Sequence, residues 1–320
     1  MKKLTPIAKF KKGDVVQGFY LCVEKNMRQT KGGDFYLDLE LRDITGKISA
    51  KVWDNVATFS EKFDSGSAVA VSGYIDSFLE RLQLNVKKIN KATIRHYSRY
   101  GFDPANIVPT SKKDPGIMWK HIESVIRNIS NKKLRRLVTI IYKSNKKELM
   151  IHPASIKLNH NYRSGLLEHV FTMSKVAEKV CKLYDVDRDL VITGILLNNI
   201  GKLKGISSGY EYENTKEGKL ISQSVLGREI VIKAISRISK FPTELSWKIE
   251  HIILSQETLG KSRNQNKIIF PEALLVHFID LMNSQMNIME FILENDHQLG
   301  DFTSKHNFFQ IPILKKNEPS

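Results

Sequence analysis

The chain has 320 residues, 41% of them hydrophobic, enough for two packed domains of ordinary size. No apolar run approaches the roughly 20 residues that span a bilayer, and the start MKKLTPIAKFKKGD lacks the apolar core of a secretory signal, so a cytoplasmic protein with no membrane partner is expected. The two cysteines, Cys22 and Cys181, form no C-x-x-C pair and indicate neither a disulfide framework nor a thiolate zinc site. The formal net charge of +16 is uneven: residues 1–150 hold 29 Lys+Arg against 15 Asp+Glu, and residues 151–320 hold 21 against 19. Clustered cations release the counterions condensed on a polyphosphate, so the N-terminal half points to nucleic acid, with a general solubility charge as the alternative.

In chain order, a first strand is expected near Val15 to Lys25. Four stretches of period two follow: FYLDLELRD (35–43), KISAKVWD (47–54), SAVAVSGYI (67–75) and RLQLNVKKI (81–89). Turn signals separate them at Lys31-Gly32-Gly33-Asp34, Asp43-Ile44-Thr45-Gly46 and Asp64-Ser65-Gly66, and NVATFSEKF (55–63) reads as a short helix. Five strands with a helix between the third and fourth predict an OB-fold barrel, a scaffold that often takes single-stranded nucleic acid. Alternation sends Phe35, Leu37, Leu39, Leu41, Ile48, Ala50, Val52, Leu82, Leu84 and Val86 inward. Tyr36, Lys47, Lys51, Trp53, Arg81, Gln83, Asn85 and Lys87 then stand outside, where aromatic rings among cations suit base stacking and phosphate contact. For either aromatic alone, packing under a neighbouring loop is an equal alternative.

Residues 94–115 carry three prolines and no periodicity and read as a linker after a barrel domain of residues 1–93. From Gly116 the period becomes helical through IMWKHIESVIRNI, KKLRRLVTIIYKSN, SGLLEHVFTMSKVAEKVCKLY, RDLVITGILLNNIGKL, GKLISQSVLGREIVIKAISRI, TELSWKIEHIILSQE and PEALLVHFIDLMNSQMNIMEFILE. These apolar stripes predict one helical bundle over residues 116–294, with residues 295–320 as a polar, loosely docked tail. The fold class is therefore α+β multidomain: a five-stranded barrel, then an all-α bundle.

Five segments carry a resemblance: NHNYRSGLLEHV (159–170), ILLNNIGKL (195–203), TKEGKLISQSVLG (215–227), HIILSQETLG (251–260) and EALLVHFIDLMNSQM (272–286). Together with the preceding barrel, they resemble the YhaM-type 3′-to-5′ exoribonucleases, which join an OB-fold domain to a metal-dependent HD phosphohydrolase domain. The resemblance implies that the bundle is of the HD type and that its metal ligands should include His169 and Asp280. It also implies that the adjacent His-Asp pair falls on Asn198 and Asn199, a further histidine on Gln223, and a histidine pair on Gln256 and Glu257. Five of the seven ligands expected from the family are thus replaced in this chain.

An HD site uses imidazole nitrogens and carboxylates to hold divalent cations that activate water and neutralise charge on the phosphate. Asn and Gln offer only a neutral carbonyl oxygen, so no cofactor is expected. The alternative is a weak mononuclear Mn2+ or Mg2+ site of His169, Glu257 and Asp280. Such amides preserve polarity and approximate volume, and can close into a neutral hydrogen-bonded network in which His169 and Asp280 are ordinary core residues. Arg163 and Lys202 are candidates for phosphate contact near the former cleft, with a solvated surface role equally open. No Walker loop, nucleophile elbow or H-E-x-x-H helix offers another active site.

The functional expectation is a catalytically inactive YhaM-like protein that binds single-stranded RNA, or DNA, through the barrel. The alternatives are an active 3′-to-5′ exoribonuclease with a reduced site, and a subunit of a larger assembly in which a protein partner or a second copy docks.

Overall fold

The alternating stretches form strands, and their pairing closes them into a barrel. The computed structural model describes residues 5–255 and 268–315. Strands β1 (Val15–Gln29), β2 (Phe35–Asp43), β3 (Gly46–Val52), β4 (Ala68–Phe78) and β5 (Arg81–Lys91) close in the order β1-β2-β3-β5-β4, with only β3 and β5 parallel. Helix α1 (Val56–Ser60) lies between β3 and β4 in the chain, which completes the OB topology. The β2–β3 turn is set by Asp43, whose Oδ1 accepts from Thr45 N at 2.7 Å, Thr45 Oγ1 at 2.6 Å and Gly46 N at 3.0 Å. Where β4 shifts register at Ser72/Gly73, a Cβ on Gly73 would lie 2.1 Å from the Asn85 carbonyl oxygen, so only glycine fits this bulge.

Leu37, Leu39, Leu41, Ile48, Ala50, Val52, Leu84 and Val86 fill the barrel. Two residues expected inside do not: Phe35 is 56% exposed and Leu82 38%. Both lie beyond the closed part of the wall. The β2–β3 pairing starts at Leu37↔Val52, leaving Phe35 with a partner only on β1, and the β3–β5 pairing starts at Ser49↔Gln83, one residue after Leu82.

The stretch read as a linker is not open chain in its first part. It forms α2 (Ile94–Tyr97) and two short 3-10 turns, and buries Phe102, Ile107 and Val108 against Leu21 and Ala68 on the outside of the barrel. The described chain divides into two compact units, one running to Thr110 and including Gly209–Glu211, the other formed by Ser111–Ser208 and the residues from Tyr212 onward.

The second unit is helical: α3 (Pro115–Arg127), α4 (Lys132–Ser144), α5 (Lys146–Leu149), α6 (Gly165–Val180), α7 (Arg188–Leu197), α8 (Lys202–Gly205), α9 (Lys216–Leu220), α10 (Gln223–Ile235), α11 (Thr243–Leu254) and α12 (Pro271–Asn295). Helix α7 is its axis. Every residue from Leu190 to Leu197 is buried, as befits a helix apolar all round, and α4, α6, α11 and α12 pack about it. Past α12 the expected loose tail is tied down: Thr303 N donates to Ile313 O at 2.9 Å, both residues are buried, and Lys315 pairs with Asp296 at 2.7 Å. Among the described residues, no helix is long and apolar enough to cross a membrane, and both cysteines are free.

Candidate functional site

On the outer wall of the barrel, the pleat and register fix what stands beside what. Asp38 on β2 pairs across to Asn26 on β1 and Lys51 on β3; Lys51 in turn faces Asn85 on β5, which faces Tyr74 on β4. Beside this row, Tyr36 and Trp53 stack with ring centroids 4.7 Å apart and planes 27° from parallel. Trp53 stays 48% exposed, and its Nε1 donates to Asn85 Oδ1 at 3.1 Å. The Lys51 ammonium lies 5.5 Å from the Tyr36 ring.

Thus Tyr36, Lys51 and Trp53 converge, and Lys47 stands further along β3. Lys87 lies 5.9 Å from the Tyr74 ring, and Arg81 is exposed where β5 begins, paired with Phe78. Sequence reasoning passed over the acids of the same face. Asp38 pairs with both Lys51 and Arg28 (2.8 Å to Arg28 Nε), Glu40 with Lys47 at 2.6 Å, and Asp54 with Lys87 at 3.6 Å. The signal was present: Asp38 and Glu40 alternate with the inward Leu37 and Leu39, so the pattern that turned Tyr36 outward turned them outward too.

In the helical unit, α6 supplies His169, the residues just after α7 supply Asn198 and Asn199, α8 begins with Lys202, α10 begins with Gln223, and α12 supplies Asp280. Gly201 brings these together. A Cβ there would lie 1.9 Å from Gln223 O, so any side chain would push α10 away from the asparagine pair. His169 Nε2 donates to Asp280 Oδ1 at 2.6 Å. The Asn198 and Asn199 amides each donate to Asp280 at 3.3 Å, one to each carboxylate oxygen. With the proton on Nε2, His169 Nδ1 accepts from Asn283 Nδ2 at 2.7 Å.

Burial works against ionising Asp280, but the His169 hydrogen bond, the His169 ring, the Lys202 ammonium and the Asn199 amide outweigh it and hold the carboxyl down at about 2. Lys202 is pushed below the usual lysine range by burial, with Asp280 acting in the other direction. Asn198, Asn199, Lys202, Gln223, Ser224 and Asp280 line a cavity of about 180 Å³. Asn198 Oδ1 is buried and has no hydrogen-bond partner among the described residues.

The described residues do not fit a divalent cation. Among them, no three His, Cys, Asp or Glu side chains are placed to hold a metal ion together. The His169 nitrogen and the Asp280 oxygens that would bind a metal are engaged with each other, and the flanking amides aim N–H donors at the carboxylate where a cation would need lone pairs. Gln256 and Glu257 lie outside the described residues.

Of the two proposed phosphate contacts, Lys202 lines the cavity. Arg163 sits half-buried in the turn before α6, its carbonyl accepting from Ser111 N at 2.9 Å, and is not among the cavity's lining residues. Asn283 was missed, although it stands three residues after Asp280 and so on the same helix face. His160 also stands beside this cluster. Its ring centroid is 5.1 Å from that of His169, and burial first, then its neighbours His169, Lys202 and Lys113, push it down to about 2.

Residues 25–92 match the family model for the OB-fold nucleic acid binding domain named tRNA_anti-codon. Over 318 residues the chain is 29% identical to the 3′-5′ exoribonuclease YhaM of Oceanobacillus iheyensis, covering 96% of each protein. The chain is thus similar to YhaM exoribonucleases over nearly its whole length. It is also 27% identical to the YhaM of Halalkalibacterium halodurans over 301 residues, covering 92% of this chain and 90% of that protein. Among solved structures, the second OB-fold domain of replication protein A from Methanococcus maripaludis is similar over 28% of this chain and 94% of that one, at 23% identity and a TM-score of 0.24. The YhaM resemblance spans both units, so it covers the asparagine pair of the helical unit as well as the barrel.

Proposed function

We propose that the chain is a catalytically silent YhaM-like protein that binds single-stranded nucleic acid, preferentially RNA, through the outer face of its barrel, with the HD-like bundle as scaffold. The observation that carries the silent half is the orientation of the asparagine pair: both amides donate to Asp280, and His169 and Asp280 satisfy each other at 2.6 Å. Such a site has its charge neutralised from within and, among the described residues, leaves no open donor set for a water-activating cation. The binding half is supported by the OB family match over residues 25–92 and by the stack of exposed Trp53 on half-buried Tyr36.

The test follows 3′- and 5′-labelled single-stranded RNA at low salt, with Mn2+ and separately Mg2+, scoring retention and shortening beside Asp280→Ala. Retention without shortening is expected. Metal-dependent shortening that vanishes in Asp280→Ala would overturn the reading in favour of a reduced site of His169, Glu257 and Asp280. Base stacking is worth about 1–3 kcal/mol per base, so Tyr36→Ala with Trp53→Ala should weaken a short oligonucleotide by about 5- to 150-fold. Unchanged affinity would remove the barrel face from the proposal.

A further inference from the structure

The basic excess of the N-terminal half is not chiefly the barrel's. Residues 1–93 hold 16 Lys+Arg against 11 Asp+Glu, whereas residues 94–150 hold 13 against 4. From Ser124 to Lys147 there are 8 Lys+Arg and no acidic residue. This run belongs to the helical unit, at the end of α3, along α4 and into α5.

Helix α4 buries Leu134, Leu137, Val138, Ile141 and Tyr142 in the bundle core. Its opposite face carries Lys132, Arg136 and Lys143, all exposed, and exposed Lys147 follows on α5. Positions 132, 136 and 143 repeat at helical spacing, so these three cations form one line about 16 Å long, over which a strand of a nucleic-acid helix carries about five phosphates. Among the described residues, Arg127, Lys132, Arg136, Lys143 and Lys147 have no carboxylate in ion-pair range. The other three cations of the run are engaged: Lys133 with Ser239 O, Arg135 with Ile129 O at 3.0 Å, and Lys146 with Glu123 at 3.9 Å and the Trp119 ring at 4.7 Å.

Helix stability does not ask for this arrangement. Lys132, Lys133, Arg135 and Arg136 crowd the N-terminal end of α4, where the helix dipole favours anions, and Lys132 and Arg136 are like charges at i,i+4. Nor is it a general property of the unit, since α12 runs for 25 residues without one Lys or Arg. A lipid surface would need apolar side chains on the basic face to insert, but the large apolar residues of α4 are in the core apart from half-buried Ile140. A nucleic-acid backbone needs only the line of cations.

We propose that the exposed face of α4, continued by α5, is a second nucleic-acid surface, separate from the barrel, which holds RNA by its phosphates without reading bases. Only the class of ligand is taken from the function proposed above. The test uses the full chain and fluorescence anisotropy with single-stranded RNA of about 8 nucleotides, the span of one OB barrel, and of about 30 nucleotides, each titrated over a range of salt. Three variants are compared with the natural sequence: a patch variant (Lys132→Gln, Arg136→Gln, Lys143→Gln, Lys147→Gln), a barrel variant (Tyr36→Ala, Trp53→Ala), and a control that removes the same charge elsewhere in the helical unit (Lys182→Gln, Lys216→Gln, Lys219→Gln, Lys248→Gln). All patch and control positions are exposed, so the melting temperature should hold and report an intact fold.

The patch variant should weaken the long RNA at least tenfold and lower the slope of log affinity against log salt by up to about 3, at about 0.7 for each phosphate no longer neutralised. Its affinity for the short RNA should stay within about twofold of the natural chain. The barrel variant should lose the short RNA and keep salt-sensitive binding of the long one. An unchanged patch variant, or an equal loss in the control, overturns the proposal. Loss of binding to anionic phospholipid vesicles with RNA binding intact overturns it in favour of a membrane surface. If the barrel variant keeps its short-RNA affinity, the barrel reading fails while the patch is still judged on the long RNA.

Discussion

Asp280→Asn separates a site given up from a site awaiting its metal, because the two predict opposite signs. In an empty metal site, carboxylates crowd together and repel, so neutralising one raises the stability of the metal-free protein. Here Asp280 accepts from His169 at 2.6 Å and from Asn198 and Asn199 at 3.3 Å, and its neighbours His169 and Lys202 favour its ionised form. An amide at this position would turn its own NH2 toward one of those asparagine NH2 groups and lose charge-assisted hydrogen bonds, each worth about 1.5–3 kcal/mol. The carboxyl itself gives a second route to the magnitude. Held at about 2 against an ordinary 3.8, it contributes about 2 kcal/mol to folding at neutral pH. For a unit of this size, that corresponds to a fall in melting temperature of about 4–8 °C. Chemical and thermal unfolding of both proteins at pH 7 with a chelator present measures it. Because the folded pKa is depressed, the contribution is present above 3.8 and is lost as pH falls toward 2, so the two unfolding curves should converge in acid. Equal or greater stability of Asp280→Asn at pH 7 would refute the closed-network description.

Asn199→Asp would set two carboxylates side by side, costing about 1–3 kcal/mol at pH 7 and less near pH 4.5, where one of the pair takes up a proton; melts at the two pH values test it. Burial pushes His152 below its ordinary 6.5, so the unfolded chain takes up its proton first and stability falls as pH drops below about 6.5, by at most about 1.4 kcal/mol per pH unit. His152→Gln should flatten the stability curve between pH 6.5 and 5. Gly201→Ala should cost about 3 kcal/mol or more, since its Cβ would meet Gln223 O at 1.9 Å and Gly227 N at 2.6 Å, backbone atoms that move only with α10; circular dichroism melts read the loss. Asp38→Asn, by releasing Lys51 and Arg28, should tighten oligonucleotide binding several-fold and steepen its salt dependence, and weaker binding would show that the acid orders the face.

What could be read before the structure was whatever repeats. Five strands, the helix between the third and fourth, and the outward stack of Tyr36 and Trp53 all follow from a period of two, and the main helices from a period of 3.6. Phe35 and Leu82 broke the reading because alternation assigns a face but does not know where a barrel wall ends; pairing decides that, and pairing is not local. Residues 94–110 read as linker because Phe102, Ile107 and Val108 follow no period, yet three apolar side chains suffice to hold a short segment against Leu21 and Ala68. Asn283 was overlooked because an asparagine on a helix resembles a surface residue until the ring it contacts is known.

The same physics explains how the helical unit packs around this centre. A buried cluster of histidines and carboxylates is stable only while cations balance it, whereas one carboxylate facing one ammonium and several amides is balanced already. Asn198, Asn199 and Asn283 supply N–H donors to His169 and Asp280, Lys202 supplies the counter-charge, and Gly201 lets α10 approach them closely. Asn198 Oδ1 is buried without a partner among the described residues, and an unsatisfied carbonyl costs less than an unsatisfied charge. The amides of Asn198, Asn199 and Asn283 thus give the cluster polar groups that need no metal to balance them. A chain with these residues should fold to the same stability with or without divalent cations, while a relative that keeps its histidines and aspartates should not.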